Sequence, residues 1–188
     1  TKLDVINGGA GTNTVRVSDS SLTSATAAAI EGINATTNIQ TFAMRGTTAT
    51  LDASKVTVLS NFAFSSTGAI NVSGLANPDT VSVLNAVQAA AAATAATTLT
   101  FAPGTDTASN VLNLSLKGNV TGGVDSDATG AGGDALNAGT FETLNLTILA
   151  DTTIVGGAQK TSGGNGEDVI VADNATITVT GGDFDLNL

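Results

Sequence analysis

Val111-Leu112-Asn113-Leu114-Ser115-Leu116 puts an apolar side chain at every second position, and Leu144-Asn145-Leu146-Thr147-Ile148 repeats the pattern. Successive side chains of a strand point to opposite faces, so a period of two gives Leu112, Leu114 and Leu116 one dry face and leaves Asn113 and Ser115 on a wet one. Outward from these segments, short β-branched stretches separated by turn residues recur along the chain, the pattern of an all-β fold. Strands are expected near Thr14–Val17 and near residues 39–45, 56–59, 69–72, 81–84, 97–101, 111–117, 141–148, 168–171 and 176–180. Two Ala-rich stretches are the expected helices: residues 22–30, after the capping residues Asp19, Ser20 and Ser21, and residues 86–96, after Asn85.

The composition narrows the chemistry. The 188 residues include no Cys, His, Trp or Tyr, with 6 Phe and 1 Met, although 41% are hydrophobic. Thiolate nucleophiles, disulfides, imidazole or thiolate zinc sites and serine–histidine–carboxylate arrangements are therefore excluded. With few aromatics the core must be built from small aliphatics, which suits stacked strands. Sixteen acidic side chains against six basic give a net charge of −10, so nucleic acid and anionic lipid are not expected partners. No apolar run approaches the roughly 18 residues of a membrane-spanning helix. Because the sequence opens at Thr1 without a charged-then-apolar leader, it is expected to be a piece of a longer chain.

Internal similarity organises the rest. Ile39-Gln40-Thr41-Phe42-Ala43-Met44 and Phe141-Glu142-Thr143-Leu144-Asn145-Leu146 share one pattern, as if a local unit were used twice. A second pair is more specific. Gly8-Gly9-Ala10-Gly11-Thr12-Asn13-Thr14-Val15-Arg16 and Gly163-Gly164-Asn165-Gly166-Glu167-Asp168-Val169-Ile170-Val171 both follow the nonapeptide G-G-x-G-x-(D/N)-x-U-x, with U apolar. That is the calcium-binding repeat of parallel β-rolls. Its glycines permit positive φ and leave carbonyl oxygens free to point inward, and its sixth residue adds a carboxylate. These are the hard oxygen donors that Ca²⁺ takes in sixes to eights.

The candidate ligands follow from this register. Gly8, Gly9, Gly11 and Asn13 belong to the first motif, with Asp4 nine residues before Asn13; Gly163, Gly164, Gly166 and Asp168 belong to the second. Ile170, Val179 and Leu188 fall at successive eighth positions, but residues 172–180 have lost their glycines and place Ile177 where an acid belongs, so Asp173, Asp183 and Asp185 are the compensating candidates. Asp125 and Asp127, in the Gly-rich stretch 122–133, form a D-x-D pair that either chelates an ion or lies in a solvated loop. Asp106 either ligates or caps the following turn. Glu142, alone on an otherwise uncharged strand, faces solvent or serves as a ligand at a module junction.

Taken in order, the first nonapeptide, the apolar-(Gln/Glu)-Thr-apolar strand, Leu51-Asp52-Ala53-Ser54-Lys55-Val56, Gly104-Thr105-Asp106 before Asn113-Leu114-Ser115-Leu116, and Gly139-Thr140-Phe141-Glu142-Thr143-Leu144 resemble RTX-type surface-layer proteins of Gram-negative bacteria. The resemblance implies a secreted structural subunit that is not an enzyme and assembles with copies of itself into a two-dimensional lattice on the cell surface. It implies Ca²⁺ for folding and subunit contacts, and contact with cell-surface lipopolysaccharide through segments outside this sequence. The expected fold is a right-handed parallel β-solenoid or β-roll with short irregular or helical insertions. Residues 1–150 would form a Thr/Ala-rich module opening with one nonapeptide turn, and residues 151–188 the start of a calcium-binding β-roll. A stalk or adhesin of a type I secreted protein is the alternative, although sugar-stacking Trp and Tyr are missing. A carboxylate-pair glycosidase would have to use Asp125 with Asp127 or Asp183 with Asp185. A calcium-free solenoid held by stacking alone is the remaining reading.

Overall fold

The computed structural model describes residues 6–18, 20–23, 28–92, 96–124, 132–157, 169–172 and 175–186. They form three sheets in which every strand pairing is parallel. The first sheet has seven strands in spatial order: β1 (Thr14–Val17), β3 (Thr41–Met44), β5 (Asn61–Phe64), β7 (Thr80–Val83), β10 (Val111–Leu116), β13 (Thr143–Ile148) and β16 (Thr176–Gly181). The second runs β2 (Ser21–Leu22), β4 (Ala49–Asp52), β6 (Ile70–Leu75), β9 (Leu99–Pro103), β12 (Leu136–Ala138) and β15 (Val169–Val171). The third runs β8 (Val87–Gln88), β11 (Val120–Thr121), β14 (Thr152–Val155) and β17 (Phe184–Leu186).

Strand order follows chain order within each sheet, so each pass of the chain adds one strand beside the last. Up to β7 the chain alternates between the first two sheets, and from β7 on each pass also crosses the third. The change is visible in the register. Phe42 pairs with Phe62, and Phe62 with Val81, about 20 residues apart; Val81 then pairs with Leu114, and Leu144 with Ile177, each 33 apart. Adding a third face lengthens the pass.

Register makes the interior a set of columns. Val15, Phe42, Phe62, Val81, Leu114, Leu146 and Val179 succeed one another in the first sheet, and Leu22, Leu51, Val72 and Phe101 in the second. Most of these are completely buried, as are Phe64 and Phe141. Phe42 and Phe62 meet edge to face with centroids 6.3 Å apart, a favoured aromatic geometry. The outer face of the first sheet carries a polar column. Thr80 Oγ1 donates to Asn61 Oδ1 at 2.6 Å, and Asn145 Nδ2 donates to Asn113 Oδ1 at 2.9 Å. The alternation read in 111–116 and 144–148 is thus a strand pattern, with the leucines inside and the asparagines laddered outside.

Several expectations are corrected. Residues 56–59 are not a strand: Asp52 caps a 3₁₀ turn at Ala53–Lys55, and the flanking strands are β4 and β5. The helix expected at 22–30 lies later, at α1 (Ala28–Asn34), because Leu22 pairs with Leu51 in the second sheet. In the Ala-rich stretch expected as a helix, residues 87–88 are β8; Val87 and Ala89 are buried while Gln88 and Ala90 are exposed, a period of two. Residues 93–95 of that stretch are outside the described set. The two similar hexapeptides do share a sheet, but Thr143 pairs with Val111, whereas the column of Asn145 is the one nearest Thr41, so the unit recurs with a two-residue shift. Ile170 pairs with Asn137 in the second sheet and Val179 with Leu146 in the first, so nine residues carry the chain from one face to another. β14 to β17 add to the same three sheets as the strands before residue 150.

Leu114→Ala, which empties the middle of a buried column, is expected to lower the unfolding free energy by about 2–5 kcal/mol. Ile177→Ala, at a side chain 41% exposed, should cost about 1 kcal/mol or less. Urea denaturation of the two variants tests the column account, and equal losses would contradict it.

Candidate functional site

The first nonapeptide folds into a tight turn entering β1. Gly9 and Gly11 adopt φ of 73° and 93°, the left-handed region that favours glycine. At Gly8 the reason is space: a Cβ would collide with the Asn38 carbonyl oxygen and come within 2.8 Å of Asn13 Cβ. The turn is sewn to the next pass, where Gly8 N donates to Thr37 O at 2.9 Å and Asn13 N donates to Gln40 Oε1 at 2.7 Å. Asn38, itself at φ 55°, donates through Nδ2 to Asn7 Oδ1 at 2.8 Å, and Gly9 N donates to the same oxygen at 3.0 Å. The carbonyls of Gly9, Gly11 and Asn38 all accept from Asn13 Nδ2, at 3.4, 3.3 and 2.9 Å. The positive φ expected of the glycines is seen at Gly9 and Gly11, and the sixth residue's role as donor to these carbonyls was not foreseen.

The other candidates are spread out. Asp4, Asp125, Asp127, Gly163, Gly164, Gly166, Asp168 and Asp173 lie outside the described residues. Asp106 is exposed, and Asn110 Nδ2 reaches its Oδ1 at 3.4 Å. Asp183 is exposed, its carbonyl accepting from Thr152 N at 3.1 Å, and Asp185 lies on β17 in register with Thr153. Among the described residues, no three acidic side chains come together in a group able to hold a metal ion.

Glu142 is half-buried, is not grouped with other acids among the described residues, and bonds to the neighbouring pass. Its Oε2 accepts from Asn110 N at 2.7 Å, while Glu142 N donates to Asn110 O at 3.1 Å. This reciprocal pair fastens the entrance of β13 to that of β10. Asn110 is 4% exposed, so its N–H has little access to water. Asn77 does the same one pass earlier, its Oδ1 accepting from Val111 N at 3.1 Å. Sequence reasoning missed Asn77 and Asn110 because an isolated amide gives no periodic signal.

The Leu51–Val56 motif is a capping device. Asp52 Oδ1 accepts from Ser54 Oγ at 2.6 Å and from Ser54 N at 3.1 Å, and Lys55 Nζ stands 3.4 Å from Oδ2. Burial pulls the Asp52 carboxyl upward, but the Ser54 hydroxyl, Lys55 ammonium and Ser54 amide outweigh it and hold the pKa below the usual aspartate value. At Asp79 burial prevails over the bond from Ala76 N, and the pKa is raised.

Open clefts of about 510, 620 and 480 Å³ are among those on the described surface. Asp79 is the one carboxylate lining any of them; the middle cleft instead brings Arg16 and Arg45 beside Ser65, Thr67 and Asn85. None of these three clefts gathers a pair of carboxylates. Comparison with family models, curated proteins and solved structures finds no match to the chain.

Glu142→Ala should cost about 1–3 kcal/mol, since it strips the Asn110 N–H of its acceptor, whereas Glu142→Gln, which keeps an acceptor oxygen, should be nearly neutral in thermal unfolding. Equal effects would exclude the tether. Asp52→Asn, which keeps the cap acceptor but loses the charge facing Lys55, should lower stability by roughly 0.2–1 kcal/mol near neutral pH. A lowered folded pKa stabilises above the unfolded pKa and ceases to do so as pH falls through the folded value, so the gap between wild type and variant should close on acidification. A gap that widened toward low pH would contradict this assignment.

Proposed function

We propose that the chain is a structural module of a secreted, calcium-dependent bacterial surface layer, coiled as a right-handed parallel β-solenoid that assembles with copies of itself into a two-dimensional lattice on the cell surface. The observation that carries this reading is the seven-strand register of the first sheet, which spans about 29 Å at roughly 4.8 Å per strand. It makes a rod with a dry interior and a polar, amide-laddered exterior, a shape suited to packing side by side. The described polar side chains that bond across passes, among them Asn110, Asn145 and Glu142, fasten neighbouring strands. The module works as a scaffold and not as an enzyme.

Calcium enters through the nonapeptide of residues 163–171, with Asp168 as its carboxylate and Gly163, Gly164 and Gly166 as the turn glycines. Asp173, Asp183 and Asp185 follow that motif and supply further oxygens. A net charge of −10 favours an expanded, dispersed chain where calcium is scarce. Outside the cell, millimolar calcium neutralises part of that charge, completes the final passes and allows copies to approach.

Circular dichroism and light scattering during titration of purified protein with EGTA test the reading. Chelation should shrink the assembled particles to single chains and remove part of the strand signal, both returning with excess calcium. Unchanged spectra and particle size would overturn calcium-dependent assembly.

A further inference from the structure

We infer that the turn of residues 8–13 is a cation seat whose occupant is the chain's own Asn13 carboxamide nitrogen. Three backbone carbonyls, from Gly9, Gly11 and Asn38, converge on Asn13 Nδ2 at 3.4, 3.3 and 2.9 Å. Convergent carbonyl oxygens from a glycine turn are what a hard cation requires, and left empty they repel one another. A primary amide carries two N–H bonds, so three acceptors require at least one of them to be shared in a three-centre arrangement. The nitrogen thus puts the positive end of the amide dipole where a metal would put its charge.

Neighbouring residues fix the seat. Gly9 and Gly11 at positive φ aim their carbonyls inward, and Gly8 leaves room for the Asn38 carbonyl. Asn38 is fixed by its bond to Asn7 Oδ1, and the Asn13 backbone by its bond to Gln40 Oε1. A cation would need oxygens at about 2.3–2.6 Å, closer than these carbonyls stand to the nitrogen, together with an anionic donor. An aspartate at position 13 would supply that donor while removing the N–H groups. Asn13 is therefore the residue that decides whether this turn takes a metal, and as an asparagine it closes the turn without one. The inference concerns this turn alone and holds whether or not the later nonapeptide binds calcium.

Asn13→Asp and Asn13→Ala in the full chain, with calcium counted by native mass spectrometry and thermal unfolding followed in EGTA and in 5 mM calcium (about five times the weaker dissociation constants of extracellular calcium modules), test it. Asn13→Ala should bind the same number of ions as wild type and lose stability that calcium does not restore. Asn13→Asp should bind one ion more per chain, with a dissociation constant of about 0.1–1 mM, and should melt lower than wild type in EGTA but regain the loss in calcium. Should Asn13→Asp fail to fold in EGTA, refolding on addition of calcium reads the same gain. Loss of one ion in Asn13→Ala would overturn the inference by showing that wild type already holds a metal there, and so would an Asn13→Asp variant with no additional ion. Absence of calcium from wild type altogether would sink the assembly proposal and leave this one standing.

Discussion

Everything in this molecule depends on parallel strands stacking in register at roughly 4.8 Å, because that spacing leaves each side chain directly above a partner from the pass before. Apolar residues must then align in columns, and polar ones must satisfy each other along the same direction. The run Phe62, Val81, Leu114, Leu146 is the dry solution, and the bond from Asn145 to Asn113 is the polar one. A mismatch in one pass is felt by two neighbours, so a column keeps its apolar character even where size changes, as at Phe62 over Val81.

The same constraint explains how a chain so poor in aromatics builds a core. Phe42, Phe62 and Phe64 fill the early passes, which cross two sheets only, while Leu112, Leu114 and Leu116, with Phe101 and Phe141, serve in the passes that also cross the third. Acidic side chains are put to structural use: Asp52 caps a turn and Glu142 ties two strand entrances.

Legibility in the sequence followed the length of each pattern. Six-residue strands such as Val111–Leu116 and Thr143–Ile148 carry three alternations and declare both their type and their buried face. Val87–Gln88 and Val120–Thr121 are two residues long, too short for any period, so the third sheet stayed hidden and the Ala-rich segment before it read as helix. The passes of about 20 and then 33 residues escaped notice because a column conserves apolar character and not identity, as in Phe62 over Val81. At the first turn the glycines announced the backbone, but an asparagine that serves as donor looks the same in sequence as one that replaces a ligand. The bond from Asn110 N to Glu142 was not foreseen because the two lie 32 residues apart on neighbouring passes.

Two sources of order are separable: apolar columns hold the passes from Phe42 to Ile148, and the proposed function assigns calcium to the passes after them. Amide hydrogen exchange of the whole chain in calcium and in EGTA measures that separation directly. Strand amides of β3 to β13 should stay protected in both conditions, with protection of β15 and β16 rising when calcium is present. Loss of protection across all the strands on chelation, or identical protection throughout with and without calcium, would contradict it.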